Sequence, residues 1–592
     1  MRRPFFQFLF LIITTFAAAS GDAQPGRQYN LKFNSLASRW DDGIPLGNGW
    51  LGELIWQKGN DVRLSLDRVD LWDDRPMPGI GQLRFAWVAQ QVNRDQYDTV
   101  QKIGDDPYET YPAPTKIPGA ALTFNCTSFG KVLSNELDIH TAISTVTFEN
   151  GVSLINYVHA VEKRGYFAFK NLPPRKGAID QDPFLPELII PPYHRVSLEK
   201  DDNSHSGGGL QTLGYPEGTL VRTAGSIRYH QPTWNGNYYE VLVQWKKVGK
   251  NAIIGSWTIS VNSPASLPEL KLIHTQLPGM GLHISWWDHF WKQSSISIPD
   301  SLLQRQYLLE IYKMGCVARN NTPPISLQAI WTADNGNLPP WKGDIHNDLN
   351  TELSYWPFYT SNHLEEAKSF TNWLWQTRAE NERWTKNYFG TEGLNVPGVT
   401  TLTGKAMGGW IQYSMSPTTV AWLCQYFYKQ WEYGRDRQFL LERCKPYFDA
   451  AHLYFTQILQ IDPVTHRYRL PLSSSPEIYD NSIRAWFTVW TNYDLSLVTS
   501  FYHEYMAVIK AVSGKIPADI KSEMRLLPGL DTDSTGLTIA PGHDYFESHR
   551  HLSPYMAIYP LELLDMDVPA DKKVMENSLD RIEKKGTRAW CG

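Results

Sequence analysis

The sequence predicts a multidomain chain, an N-terminal antiparallel β-sandwich followed by an all-α domain. Three observations carry this. From about residue 29 to residue 266, apolar residues alternate in short runs broken by Gly, Pro and Asn clusters. After Pro268 the apolar spacing becomes helical, and helix follows helix with almost no strand signal. The loops between those helices are long and rich in Trp, Pro, Gly, Asn and His, the kind of segment on which a rigid scaffold carries its site.

The chain opens with Arg2 and Arg3, an apolar run from Phe5 to Phe16, and small residues at Ala17, Ala18, Ala19 and Ser20, with Ala23 as a second candidate cut. This pattern predicts a signal peptide over residues 1–23 and export to the periplasm or beyond the cell. No Cys follows the apolar run, so a lipid anchor is not expected there. No other apolar run approaches the roughly 20 residues of a membrane span. Residues 24–266 are expected to form the sandwich. Within it, Ile143 to Phe148 and Val152 to Val158 alternate on either side of Glu149-Asn150-Gly151, a strong hairpin signal. Tyr239 to Trp245 and Ile253 to Val261 repeat the period, and His205 to Gly209 reads as a loop.

Residues 267–301 are expected to link the two parts, with the helical domain over 302–592. Leu302 to Val317 places Leu303, Tyr307, Ile311 and Met314 at helical spacing. Pro417 to Tyr433 does the same with Val420, Leu423, Cys424, Phe427 and Trp431, and Gly434 is a stop signal. Asp449 to Leu459 and Thr491 to Val512 read as helices too.

Composition narrows the function. A net charge of −5 over 592 residues gives no reason to expect a nucleic-acid partner. The five cysteines, Cys126, Cys316, Cys424, Cys444 and Cys591, are scattered and suggest neither a zinc site nor a disulfide framework, so buried thiols are expected. The 23 Trp serve large cores, and some can serve as platforms on which sugars stack.

Three clusters concentrate chemistry. The first runs from Trp341 to Pro357 and holds His346, Asp348 and Asn350 at spacings of two, which in an extended segment puts all three on one face. The alternative is an Asx-rich loop capping a helix that starts near Thr351. The second is Ser473-Ser474-Ser475-Pro476-Glu477. Its Glu suits a general acid if buried, or a first-turn Glu behind Pro476 at a helix start. The third, Asp544 to Ser553, sets Glu547 beside His549-Arg550-His551. Arg550 can fork a carboxylate and hold it ionised, or the segment is a surface ion-pair loop. No ligand set looks metal-like.

Together these elements resemble glycoside hydrolase family 95. Ile44-Pro45-Leu46-Gly47-Asn48-Gly49-Trp50-Leu51-Gly52 is similar to the family's P-[IL]-G-N-G-x-L-G opening, and Leu66 to Trp72 to its L-N-E-D-T-L-W element. Leu327-Gln328-Ala329-Ile330-Trp331 resembles L-Q-G-I-W, Asn350 to Pro357 resembles N-T-E-M-N-Y-W-P, and Ser475-Pro476-Glu477 matches S-P-E. His549-Arg550-His551-Leu552-Ser553, followed by Tyr559-Pro560, resembles H-R-H-x-S-H-L … Y-P. The six elements stand in family order.

The resemblance implies an (α/α)6 toroid behind the sandwich, incomplete here because the chain stops at Trp590-Cys591-Gly592. It implies inverting hydrolysis of a terminal α-linked L-sugar, of the α-L-fucoside or α-L-galactoside type, from an oligosaccharide or polysaccharide, with no cofactor. It implies Glu477 as general acid. Asp348 and Asn350 match the family's Asn pair, His346 a sugar-contacting His, and Trp410 a Trp beside the sugar. Glu547 is the nearest match to the base, with Asp544 second. Arg550, His551 and Trp341 join the substrate-binding candidates. Asp348 stands where the fucosidases have Asn, so a carboxylate at that position is itself a candidate base. Two rival readings are a glycoside phosphorylase of related helical fold and a non-catalytic glycan-binding protein.

Overall fold

The computed structural model describes residues 24–173, 185–196, 208–270, 279–545 and 551–585. The segment read as a signal peptide therefore lies outside the described residues, as do Glu547, Arg550 and Cys591.

Two antiparallel sheets form the N-terminal part. The larger has nine strands, in the order Leu31–Phe33, Val132–Asp138, Ile143–Phe148, Ser153–Val158, Gly165–Lys170, Ala252–Val261, Tyr238–Val248, Ser226–Pro232 and Thr219–Thr223. The smaller has five: Glu187–Ile189, Ala120–Asn125, Asp61–Arg68, Leu51–Lys58 and Ile44–Gly47. The expected hairpin is present, with Leu154 opposite Val146. Its turn closes through Gly151 at φ 85°, which glycine adopts without steric cost. The sheets pack face to face: Phe124 lies 5.1 Å from Phe167 across the core, and Trp257 donates its indole N–H to Glu53 at 2.9 Å.

Three short helices interrupt the sandwich, α1 (Phe85–Asn93), α2 (Tyr97–Gly104) and α3 (Asp106–Thr110). They carry side chains to the helical part. There the chain forms α4 (Met280–Trp291), α5 (Ser301–Val317), α6 (Asn350–Thr360), α7 (Leu364–Phe389), α8 (Ile411–Ser414), α9 (Thr419–Gly434), α10 (Arg437–Phe439), α11 (Lys445–Ile458), α12 (Asn492–Ser513), α13 (Ala518–Leu526) and α14 (Pro569–Lys585). Aromatic contacts join successive helices: Tyr355 to Phe370 (4.7 Å), Phe370 to Tyr426 (5.1 Å), Phe427 to Tyr447 (4.0 Å) and Phe448 to Phe501 (5.5 Å).

Capping sets two starts: Asp300 accepts from the backbone of Leu302 and Leu303 at 2.8 and 3.0 Å, and Thr491 caps α12. In α5, Leu303 is 58% exposed; the buried face runs instead through Leu308, Ile311, Tyr312 and Met314. In α9, every residue from Thr419 to Phe427 is buried, so the single face read from spacing is an inner helix covered all round. Cys126, Cys316, Cys424 and Cys444 are buried free thiols. Among the described residues, no helix is long and apolar enough to cross a membrane.

The glycine-rich opening is a seam between the two parts. A Cβ on Gly52 would collide with the carbonyl oxygen of Ile330, and one on Gly47 with the Ile330 side chain. Asn48 ties the turn, accepting from the backbone of Leu51 at 2.7 Å and donating to the His159 carbonyl at 2.8 Å. Strand residues then clamp the Ile330 loop. Arg63 forks Asp334 with two bonds of 2.6 Å, and Asp67 accepts from the Thr332 hydroxyl at 2.6 Å and from buried Lys116 at 2.7 Å. Gly52→Ala is therefore expected to lower stability by about 3 kcal/mol, the upper range for overpacking, as read from urea unfolding. Wild-type stability in that variant would refute the seam as described.

Candidate active site

The first cluster does not fold as one extended segment. Ile345–His346 is a two-residue strand paired with Val399–Thr400; a turn follows over residues 347–349, and Asn350 opens α6. Leu349 stands at the N-cap position of that helix, and its side chain makes no capping bond. The turn nonetheless brings His346 and Asp348 together. Asp344 Oδ1 lies 3.0 Å from His346 Nδ1, and Asp348 Oδ1 lies 3.3 Å from His346 Nε2. Tyr108 of α3 donates to Asp344 Oδ2 at 2.7 Å, so the β-part of the chain holds the outer end of the array. Asn350, the first residue of α6, is exposed; the segment is not extended, so spacing alone no longer puts it on the face of His346 and Asp348.

Charge follows geometry. Burial disfavours a charged His346, but the carboxylates of Asp348 and Asp344 outweigh it and hold the imidazole well above its ordinary pKa. His346 is thus an imidazolium between two carboxylates. Asp344 and Asp348 are 0% and 6% exposed, so the array lies in the interior. Asp344→Asn is expected to lower the His346 pKa, and NMR titration of the ring protons measures it; an unchanged value would refute the array.

The second cluster lies in a turn, not at a helix start, so the helix-dipole alternative for Glu477 falls. Its serines form a floor. Ser473 donates to Asp494 Oδ2 at 2.6 Å, the Ser474 backbone reaches the same oxygen at 2.9 Å, and Ser475 pairs with Ser553 at 2.7 Å. Asp494 is buried, and burial pushes its carboxyl up to about 6, opposed by these hydrogen bonds. The Ser475–Ser553 contact brings the third cluster alongside, and His551 Nε2 stands 3.9 Å from Glu477 Oε2. Both side chains are nearly buried, at 11% and 13% exposure.

Tyr413 of α8 relates the two carboxylates. Its hydroxyl donates to the Ile478 carbonyl at 2.9 Å. Burial drives its pKa far up, and the charges of Glu477, Asp480 and Asp348 add to the effect. Glu477 and Asp348 therefore act on one hydroxyl. Trp410 precedes α8 at φ 39°, and Trp341, 39% exposed, takes φ 46°. Left-handed backbone at bulky residues is costly and clusters at functional sites. Gly408 and Gly409 approach α2 and α3 so closely that a Cβ on either would strike the Gly104 carbonyl or the Tyr108 ring. Asp105 completes this contact by accepting from the Ile411 backbone at 3.2 Å.

Asp544 is exposed. Sequence reasoning passed over Tyr108, Tyr413 and Asp494, and it gave Asp344 no role. Only Asp344 had a signal, its spacing of two from His346. Among the described residues, no group of three or more His, Cys, Asp or Glu is placed to hold a metal.

The family model for the glycosyl hydrolase family 95 catalytic domain matches residues 299–591. Alpha-L-fucosidase 2 of Arabidopsis thaliana is 19% identical over 651 aligned positions, covering 95% of this chain and 75% of that protein. A solved structure provisionally described as a kojibiose phosphorylase, from human microbiome, superposes with a TM-score of 0.58 at 12% identity, over 95% of this chain and 80% of that one, and so shares the fold. The Glu477 turn and the carboxylate–imidazole array both fall inside the matched residues, and through that catalytic domain the chain belongs to glycoside hydrolase family 95.

Proposed function

We propose that the protein is an inverting exo-glycosidase that releases a terminal α-linked L-sugar, of the fucoside or galactoside type, from exported or extracellular glycans. Glu477 is the general acid and Asp348 the base. The observation that carries this is the pair of carboxylates in contrasting settings around Tyr413: Glu477 beside His551, and Asp348 bound to the His346 imidazolium. Two carboxyl groups with different surroundings are what inversion needs, one to protonate the leaving oxygen and one to take a proton from the attacking water.

His346 suits Asp348 to that task. Its Nε2 faces the carboxylate at 3.3 Å, and Asp344 and Tyr108 hold the ring in place. Trp341 and Trp410 are the sugar platforms. Two carboxylates disfavour phosphate as the nucleophile, which separates this reading from a phosphorylase. The test is a panel of nitrophenyl α-L-fucoside, α-L-galactoside, α-L-rhamnoside and α-L-arabinoside, with and without inorganic phosphate, with the first-formed anomer followed by NMR. The expected product is the free β-anomer, with no dependence on phosphate. A sugar phosphate, or retention of configuration, would refute the assignment.

A further inference from the structure

Glu352 lies in the first turn of α6, four residues after Asp348, and is fully buried. Among the described residues, neither of its carboxyl oxygens has a hydrogen-bond partner. Among the described residues, the ionisable groups that face it come from three places. His346 and Asp348 lie on the short strand and the turn before the helix, Tyr426 on α9 and Tyr493 on α12. The Tyr426 hydroxyl donates to the backbone carbonyl of Glu352 at 3.0 Å and leaves the carboxyl alone. None of the four is Lys or Arg. The one cation among them, His346, is already shared between Asp344 and Asp348. A carboxylate with no counter-ion of its own and no donor does not persist in a protein interior; it takes up a proton instead.

We propose that Glu352 is a positioning residue that works as a neutral carboxylic acid, leaving Asp348 as the anion beside His346 and so the group that accepts the proton of the attacking water. The electrostatics agree with the geometry. Burial lifts the Glu352 pKa well above the ordinary value; its own backbone N–H opposes this, Asp348 adds to it, and His346 opposes it again. While Glu352 keeps its proton, the array carries two carboxylates around one imidazolium. Once that proton is lost, a third carboxylate crowds the same cation, and Asp348 and Glu352 compete for the next proton. The catalytic part of this inference rests on Asp348 being the base; the protonation of Glu352 does not.

The experiment compares Glu352→Gln with wild type in two ways on the full chain. The first is kcat against pH on a dinitrophenyl glycoside, whose leaving group needs no protonation, so the general acid does not shape the alkaline limb. Glu352→Gln is expected to keep kcat within about tenfold at pH 6 and to move the alkaline limb up by about one unit or more. The second is Tm against pH, which needs no substrate. A carboxyl whose folded pKa is raised contributes stability that is complete below its unfolded pKa and is lost as pH rises towards the folded value. Tm of Glu352→Gln minus Tm of wild type should therefore widen steadily as pH rises above about 5.

A Tm difference that stays flat with pH would overturn the neutral-acid assignment. A widening difference with an unmoved alkaline limb would overturn the coupling to Asp348, as would a folded Glu352→Gln that loses activity more than 100-fold. If no glycoside is turned over by any form while the Tm difference widens, the protonation stands and the glycosidase reading fails.

Discussion

Glu477→Gln is expected to lower kcat by about 10³-fold or more on an alkyl or saccharide leaving group, and by less than about tenfold on a dinitrophenyl glycoside. The reason is local. A glycosidic oxygen leaving as an alkoxide needs a proton in the transition state, whereas a dinitrophenolate does not. Glu477 is nearly buried, with His551 at 3.9 Å. The turn that carries it is bound to Asp494 through Ser473 and Ser474, and to the His551 segment through Ser475 and Ser553. Loss of activity therefore reports the missing proton and not a displaced loop, provided the variant keeps its Tm. Steady-state rates on the two substrates measure the split, and equal losses on both would remove Glu477 from the acid role.

Asp348→Asn is expected to cost about 10³-fold in kcat whatever the leaving group, because both classes of substrate need the attacking water deprotonated. Added azide, which needs no base, should restore turnover on the aryl glycoside and yield a glycosyl azide of inverted configuration. The same substitution removes one of the two carboxylates that charge His346, so the His346 pKa should fall, as it does in Asp344→Asn. Glu547→Gln provides the contrast and is expected to stay within about tenfold of wild type. If Glu547→Gln gave the large loss and Asp348→Asn the small one, the base would be Glu547. The position where Asp348 replaces the Asn of the fucosidases would then bear on substrate choice instead.

Much of the molecule was legible in the order of its residues. The Asn150-Gly151 turn announces its hairpin because only certain backbone angles close it. The α5 and α12 starts are legible from Asp300 and Thr491, whose side chains reach backbone N–H groups two or three residues on. The Ser-Pro-Glu turn and the Asp344-to-Asp348 cluster are legible as places where chemistry collects. Their fine structure was not. Asn350 belongs with Asp348 by spacing, yet residues 347–349 turn and Asn350 opens α6, so the extended segment that the spacing assumes is absent. Leu303 has the right period for a buried face and is exposed, because its neighbours determine which stripe of α5 is covered.

By itself the sequence determined the two-part architecture, and the family motifs and their order. These depend on the backbone angles and burial preferences of residues close along the chain, which spacing records directly. Only the tertiary structure decided that Gly47 and Gly52 are small for the sake of Ile330. It alone decided that Tyr108, more than two hundred residues earlier, steadies Asp344, and that His346 is charged while Glu352 sits buried beside the same array. Protonation in an interior is set by which charges and donors come within a few ångströms at low dielectric, and those neighbours come from distant segments that no local spacing encodes.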